Sequence, residues 1–347
     1  MYLVQTSEQH DLMLHLRSNG NRHQTTFGQS LTMQIVFLDS DTIPTPLPVP
    51  EWVTKWVNLP ATLQDPDAVV QALADADICI TNKIKLTQSI LARLPKLKFV
   101  CVAATGYDCV DLQACREHGV IVSNVPGYSR QSVGEGVIGF IFSLRRALPY
   151  YQTTARQAWP DSPHFCVHGA PVLNIRGTTL GIFGRGAIGN EVATLAQALG
   201  MNVLFGEHRN RPDVRPGYVR FETLLAQSDI ITLHCPLTEA TRSMIGQAEI
   251  AQMKRGAMLI NTARGPLIHE QAVADGLLSG HLGGVALDVL AVEPPPAEHP
   301  LLQMHMPNLI ITPHITWANE HGMRSLMDGI VGNLNAFAQG KPVNVVS

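Results

Sequence analysis

Thr179-Leu180-Gly181-Ile182-Phe183-Gly184-Arg185-Gly186-Ala187-Ile188-Gly189 is the stretch that decides the fold. An apolar strand pattern runs into three glycines spaced G-x-G-x-x-G, and Ile188, Val192, Leu195, Ala196 and Leu199 then form the apolar stripe of a helix. In that setting each glycine has a task. Gly184 permits the tight turn, Gly186 lets a pyrophosphate approach the backbone, and Gly189 lets the helix pack closely on the strand. Arg185, Ala187 and Ile188 complete the turn, and the helix N-terminus offers its free N–H groups to the anion. Glycine turns of this spacing recur by chance, so the context decides. Here Gly200 is placed to end the helix, a strand follows at Val203 to Phe205, and Glu207 closes it.

Glu207 stands where an acidic side chain accepts hydrogen bonds from the adenosine ribose diol and repels a 2′-phosphate. That predicts NAD(H) as cofactor. Arg209 and Arg211 follow at once and could grip a phosphate, so the same segment leaves NADP use open.

Outward from this motif the pattern repeats. Toward the C-terminus, strands are predicted at Ile230 to His234, Met258 to Asn261, Val285 to Asp288 and Leu309 to Thr312, which with the two before them make six, a complete dinucleotide-binding sheet. Toward the N-terminus, a long helical pattern from Ser132 to Leu148, stopped by Pro149, reads as the crossing between two domains. Before it, Ile35 to Leu38, Ile78 to Thr81, Phe99 to Ala103 and Val120 to Val122 read as buried strands separated by helices or polar loops. Short apolar strands alternating with helices imply a parallel sheet covered on both faces. The expected class is therefore α/β with two doubly wound sheets: a smaller flavodoxin-like substrate domain over 33–130, rejoined by 314–347, and a Rossmann cofactor domain over 131–313. Residues 1–32 are polar and aperiodic, with no apolar stretch resembling a signal peptide, and read as an irregular extension.

Composition agrees with an ordinary soluble, globular protein. A chain of 347 residues exceeds the roughly 250–300 at which single cores stop growing. No apolar run approaches the ~18 residues of a membrane span. A net charge of −3 offers no footprint for nucleic acid. The six cysteines lack paired metal-ligand spacing, and Cys79 and Cys101 lie inside apolar strand runs, which reads as reduced thiols in a cytoplasmic protein with no structural metal.

In an open parallel sheet, ligands bind beyond the carboxyl ends of the strands. Just there the sequence places Thr262, Ala263 and Arg264 after Asn261; Asp288 and then Glu293 after Leu287; and His314 after Thr312. Reduction of a 2-keto acid requires a fixed cation for the carboxylate and carbonyl, a proton donor for the forming alkoxide, and an anion that keeps the donor charged. Arginine meets a carboxylate with two parallel N–H groups, and histidine titrates nearest neutrality. Taken singly, a loop arginine, a loop glutamate or one of 14 histidines is more often structural. Their shared position behind a nucleotide motif makes Arg264, Glu293 and His314 the candidate catalytic set.

The runs Asn261 to Gly265, Asp288-Val289 to Glu293-Pro294 and Thr312-Pro313-His314 resemble the signatures of the D-isomer-specific 2-hydroxyacid dehydrogenase family, in the right order along Met33 to about Val346. The resemblance implies His314 as acid/base, Glu293 as its partner and Arg264 as substrate anchor. It also implies Asp288 against the nicotinamide carboxamide, with Thr262 and Ala263 beside the cofactor and Cys235-Pro236 by the nicotinamide ribose. The backbone amides of Thr105-Gly106-Tyr107 would hold the substrate carboxylate. Phe37-Leu38-Asp39, Leu290 to Pro296 and Trp317-Ala318 are most similar to the glycerate dehydrogenase or hydroxypyruvate reductase branch, which implies a small 2-keto/2-hydroxy acid substrate and a homodimer. A rival is an NAD(H)-sensing, corepressor-like binding protein of the same fold; the intact Arg, Glu and His set speaks against it.

Overall fold

Nearly continuous apolar strands must be covered on both faces, and the runs at 78–81 and 99–102 are buried along their whole length. In the computed structural model, which describes residues 33–61 and 65–347, they form the middle of a five-stranded parallel sheet. The reading of residues 1–32 as an extension lies outside the described residues. The sheet consists of β1 (Gln34–Phe37), β2 (Lys55–Asn58), β3 (Ile78–Thr81), β4 (Phe99–Val102) and β5 (Ile121–Ser123), ordered β2-β1-β3-β4-β5. Helices α1 (Pro66–Leu73), α2 (Gln88–Leu91) and α3 (Leu112–Glu117) connect them. This is the flavodoxin-like winding, with its switch point between β1 and β3. Strand β2 is one more than the sequence pattern shows. It lies at the edge, both ends are exposed and only Trp56 and Val57 are half-buried, so no apolar run marks it.

The helix expected over 132–148 is two helices, α4 (Arg130–Arg145) and α5 (Leu148–Gln157). Ala147 breaks the path with φ of 49°, and Pro149 falls in the first turn of α5, where its missing N–H forfeits no bond. Proline here starts a helix as well as ending one.

The second sheet runs β6 (Thr179–Phe183), α6 (Ala187–Ala198), β7 (Asn202–Gly206), α7 (Phe221–Gln227), β8 (Ile230–Leu233), α8 (Gln247–Gln252), β9 (Ala257–Asn261), α9 (Glu270–Leu278), β10 (Leu282–Leu287), α10 (Pro300–Gln303) and β11 (Leu309–Ile311). All six strands are parallel, in the order β11-β10-β9-β8-β6-β7, and the chain winds outward from β6 in both directions as a Rossmann sheet does. Each face of each sheet has its own apolar cluster. Helix α4 packs Val137, Ile141 and Leu144 into the cluster of Leu180, Ile182 and Val192, so it covers one face of the second sheet.

The last helix, α11 (Glu320–Ala338), returns to the first sheet. Leu326, Ile330 and Leu334 pack with Ile35, Phe99 and Cys101, and the Phe337 ring stacks on Phe99 at 4.4 Å. Between β11 and α11, the Trp317 side chain packs against a cluster of each sheet, the one construction shared by both cores in this segment. Among the described residues no helix is long and apolar enough to cross a membrane, and all six cysteines are free.

Candidate active site

The glycine turn has the shape its sequence implies. Gly184 takes φ of 97°, and a Cβ there would lie 2.4 Å from the His234 carbonyl oxygen, so the turn presses against the loop that carries Cys235 and Pro236. A Cβ on Gly189 would lie 2.0 Å from the Gly184 carbonyl, whereas one on Gly186 would meet nothing within 4 Å. The glycine between the two packed ones thus leaves open backbone at the start of α6. Across the sheet, the Thr262 hydroxyl is buried without a hydrogen-bond partner. An open cradle at one strand end and an unsatisfied buried hydroxyl at another fit a dinucleotide lying along this edge.

The three candidate catalytic side chains are delivered by three adjacent strands. Arg264 follows β9, and its loop is fixed by Asn261, whose amide donates to the Arg264 carbonyl at 2.8 Å and accepts from Ala263 N–H at 3.1 Å. Glu293 follows β10; one carboxylate oxygen accepts from Leu290 N–H at 3.0 Å and the other meets His314 Nδ1 at 2.7 Å. Burial alone would push the Glu293 carboxyl up. The bond and charge of His314, the Leu290 N–H and the Lys83 charge outweigh it and leave the group below the ordinary glutamate range.

His314 sits in a turn at φ of 54°, a left-handed conformation that costs on the order of 1–3 kcal/mol in a non-glycine residue. Asp288 holds that turn. Its carboxylate is 1% exposed and accepts from Thr312 Oγ1 (2.5 Å), Ile315 N–H (2.9 Å), Thr316 N–H (3.0 Å) and Thr316 Oγ1 (2.6 Å), while its carbonyl accepts from His314 N–H (2.8 Å). A carboxylate has about four acceptor sites, and these bonds fill them. The Asp288 side chain is the clamp of the histidine turn, on the edge where the family resemblance places the nicotinamide carboxamide.

The first sheet supplies the opposite wall. Thr105 is tied to the strand behind it, its hydroxyl donating to the Val125 carbonyl at 3.0 Å and its carbonyl accepting from Asn124 at 2.7 Å. Gly106 follows, and a Cβ there would fall 1.8 Å from Arg264 Nη2. Tyr107 is partly exposed in the same loop. The 105–107 segment and Arg264 are therefore in contact across the cleft between the sheets.

Four residues at this edge escape the sequence reading. Asp108 Oδ1 accepts from Arg264 Nη2 at 3.0 Å and Nε at 3.3 Å. Loss of water would raise the Asp108 carboxyl, but the Arg264 charge and its hydrogen bonds take it below the usual range. Lys83 follows β3; desolvation and then the Arg264 charge push its ammonium down, against the pull of Asp108 and Glu293. Asp39, after β1, fixes the Lys83 loop by accepting from Asn82 and Lys83 N–H. Asp108 directly adjoins the 105–107 loop and Asp39 stands in the Phe37-Leu38-Asp39 run, so their places are the readable signal; Lys83 has none.

The fourth is Arg215. Glu207 is not an open acceptor: it is 2% exposed, and Arg215 closes on it with Nε at 2.7 Å and Nη2 at 2.7 Å. Nor is Arg209 free, since it donates to the Met244 carbonyl, pairs with Glu249 at 2.8 Å and lies 4.5 Å over the Phe221 ring.

A cleft that offers a dinucleotide cradle on one side and an arginine with a carboxylate-backed imidazole on the other defines an oxidoreductase that moves a hydride to or from a carbonyl. Residues 138–316 match the model described as D-isomer specific 2-hydroxyacid dehydrogenase, NAD binding domain, and the chain belongs to that family of NAD-dependent enzymes. It is 46% identical over 314 residues to a putative 2-hydroxyacid dehydrogenase of Haemophilus influenzae, covering 88% of this chain and 98% of the relative. It is 42% identical over 326 residues to a glycerate dehydrogenase of Methylorubrum extorquens, covering 91% and 99%. Among solved structures, a glyoxylate reductase from Paecilomyes thermophila superposes with a TM-score of 0.75 at 28% identity, covering 90% of this chain and 98% of that one.

Proposed function

We propose that the chain reduces hydroxypyruvate or glyoxylate to the corresponding D-2-hydroxy acid, and can run the reverse oxidation. The observation that carries this reading is the 2.7 Å contact of Glu293 with His314 Nδ1, on the same edge as Arg264. With Nδ1 engaged, Nε2 is the nitrogen left to face the carbonyl oxygen. Glu293 orients the ring through Nδ1 and sets a negative charge behind it, so His314 gives a proton as the alkoxide forms and recovers it in oxidation. Arg264 takes the substrate carboxylate on the Nε/Nη2 edge that Asp108 otherwise occupies, and places positive charge beside the developing alkoxide. The amides of Thr105 to Tyr107 hold the other carboxylate oxygen. The bound nicotinamide supplies the hydride. Gly184 to Gly189, Cys235, Pro236, Thr262 and Ala263 hold that cofactor, Asp288 contributes through the turn it clamps, and closure of the cleft excludes water from the step.

On this reading, 33–130 with 314–347 make a substrate domain and 131–313 a cofactor domain. The named function of the Methylorubrum relative supports the substrate choice. Free, mostly buried thiols support a cytoplasmic location. A homodimer is supported by the exposed apolar side chains on and after α5, including Leu148, Trp159, Phe165 (91% exposed) and Val172.

The test is NADH oxidation with a panel of hydroxypyruvate, glyoxylate, pyruvate and phenylpyruvate. Turnover should be greatest with the first two. A protein that binds NADH and oxidises it with none of the four does not have this function.

A further inference from the structure

The Glu207 carboxylate accepts four hydrogen bonds: Oε1 from His208 N–H (2.9 Å) and Arg215 Nη2 (2.7 Å), Oε2 from Arg215 N–H (3.2 Å) and Arg215 Nε (2.7 Å). Those bonds fill its acceptor sites, so a ribose diol finds none left unless Arg215 swings away. The Arg215 fork, the two N–H groups and the charge bring the carboxyl down to about 2. The pair is therefore ionised on both sides and neutral as a unit.

Around it the charge is positive. The Arg215 guanidinium lies 4.1 Å from the Tyr218 ring centroid, and Arg185, inside the glycine turn, lies 5.6 Å from the same ring and 4.5 Å over Phe205. Among the described residues the ion pairs include none of Arg185, whose guanidinium rests on the Phe205 and Tyr218 rings. Gly217, two residues after Arg215, turns with φ of +80°, and a Cβ there would lie 3.0 Å from Arg185 Nη1. The glycine turn and this loop thus bring one unpaired guanidinium, Arg185, and one paired, Arg215, to the strand end where the adenosine ribose comes, with the Glu207 carboxylate withdrawn beneath them and Asp213 exposed farther along the loop.

We infer that Arg215 sets the cofactor choice of this enzyme: by closing on Glu207 it removes the acidic group that would reject a 2′-phosphate and offers a guanidinium in its place, so the chain accepts NADPH alongside NADH. Arg215 is a specificity residue that acts partly through Glu207 and partly by direct contact with the phosphate. This rests on the dinucleotide lying along the Gly184 to Gly189 turn.

The test pairs binding with turnover. Calorimetric titration of wild type should show 2′,5′-ADP binding at least as tightly as 5′-AMP, because the fragments differ only in the phosphate at issue. R215L should weaken 2′,5′-ADP by about 10–100-fold, the worth of a charge-assisted bond, with little change for 5′-AMP. In the same variant the ratio of kcat/KM for NADPH over NADH should fall by a similar factor, because Glu207 is released to the ribose. Should R215L fail to fold around its stranded carboxylate, the double variant E207Q/R215L carries no buried unpaired charge and should show the same loss for 2′,5′-ADP. E207Q alone frees the fork and should tighten 2′,5′-ADP. Wild-type protein that binds 5′-AMP but excludes 2′,5′-ADP, or arginine variants that leave the ratio of the two fragments unmoved, overturn the inference while turnover with NADH stands. Loss of 5′-AMP binding in wild type would instead remove the dinucleotide placement beneath it.

Discussion

Asp39 follows β1 in the first sheet and Glu207 follows β7 in the second, and both carboxylates are shut off from water. Their surroundings differ. Asp39 meets N–H groups of Asn82 and Lys83, and burial pushes its carboxyl up to about 6. Glu207 meets a guanidinium fork and is held near 2. The same contrast runs through the two edges. The first sheet brings backbone to the cleft in the 105–107 loop and the 81–84 loop shaped by Asp39, with Lys83 and Asp108 as the charges it adds beside Arg264. The second brings more side-chain charge: Arg264, Glu293, His314 and the Arg215–Glu207 pair. Two sheets wound by one rule thus divide the work, one giving mainly shape and the other most of the charge.

Removing His314, the proposed proton donor, from the charged edge should have the largest effect. His314→Ala should lower kcat by about 10²–10⁴-fold, the usual worth of general acid catalysis, while NADH titrated by fluorescence binds nearly as before. A kcat within a few-fold of wild type would place the proton chemistry elsewhere. On the backbone edge, Gly106→Ala puts a Cβ against Arg264 Nη2. Because that neighbour is the end of a flexible side chain, the fold should survive and the guanidinium should move. Misplacement by about 1 Å can cost up to ~10²-fold, so KM for the keto acid should rise with Tm unchanged. Equal KM in the two proteins would mean the loop and Arg264 do not act on one substrate.

Glu293→Gln sharpens the comparison on the charged edge, because it keeps a group beside His314 Nδ1 and removes only the charge. Turnover of keto-acid reduction should fall by about ten-fold while KM for NADH stays near wild type. An unchanged kcat would uncouple Glu293 from His314. The smallest effect belongs to Asp39. Its folded-state pKa is raised, so the stability it contributes is full below about pH 4 and is lost as pH rises through about 6. Relative to Asp39→Asn, wild type should be most favoured near pH 4 and lose a few degrees of that advantage by pH 7, read by thermal melts. An advantage that grows with pH would reverse the assignment.

The charged edge was the more legible of the two. Strand ends can be read from apolar runs, so Arg264, Glu293 and His314 could be placed on one edge from β9, β10 and β11 alone. What could not be read is which groups touch across the chain. Asp108 meets Arg264 from 156 positions away, and Arg215 returns to Glu207 through an aperiodic loop. The Asp288 carboxylate looks free in a list of strand-end residues, yet the turn at 312–316 consumes it. Strand β2 was lost for a related reason: an edge strand that buries two side chains leaves no pattern.

Trp317 offers an optical consequence of this division. Its indole packs on a cluster of each sheet, its Nε1 donates to the His314 carbonyl at 2.9 Å, and the Tyr128 ring stands edge-on at 6.0 Å. Any rotation of one sheet against the other must change what surrounds this chromophore. The chain has only three other tryptophans, at 52, 56 and 159. With those replaced by phenylalanine, emission and acrylamide quenching at Trp317 would follow cleft closure in real time, from a position one hydrogen bond away from the catalytic turn.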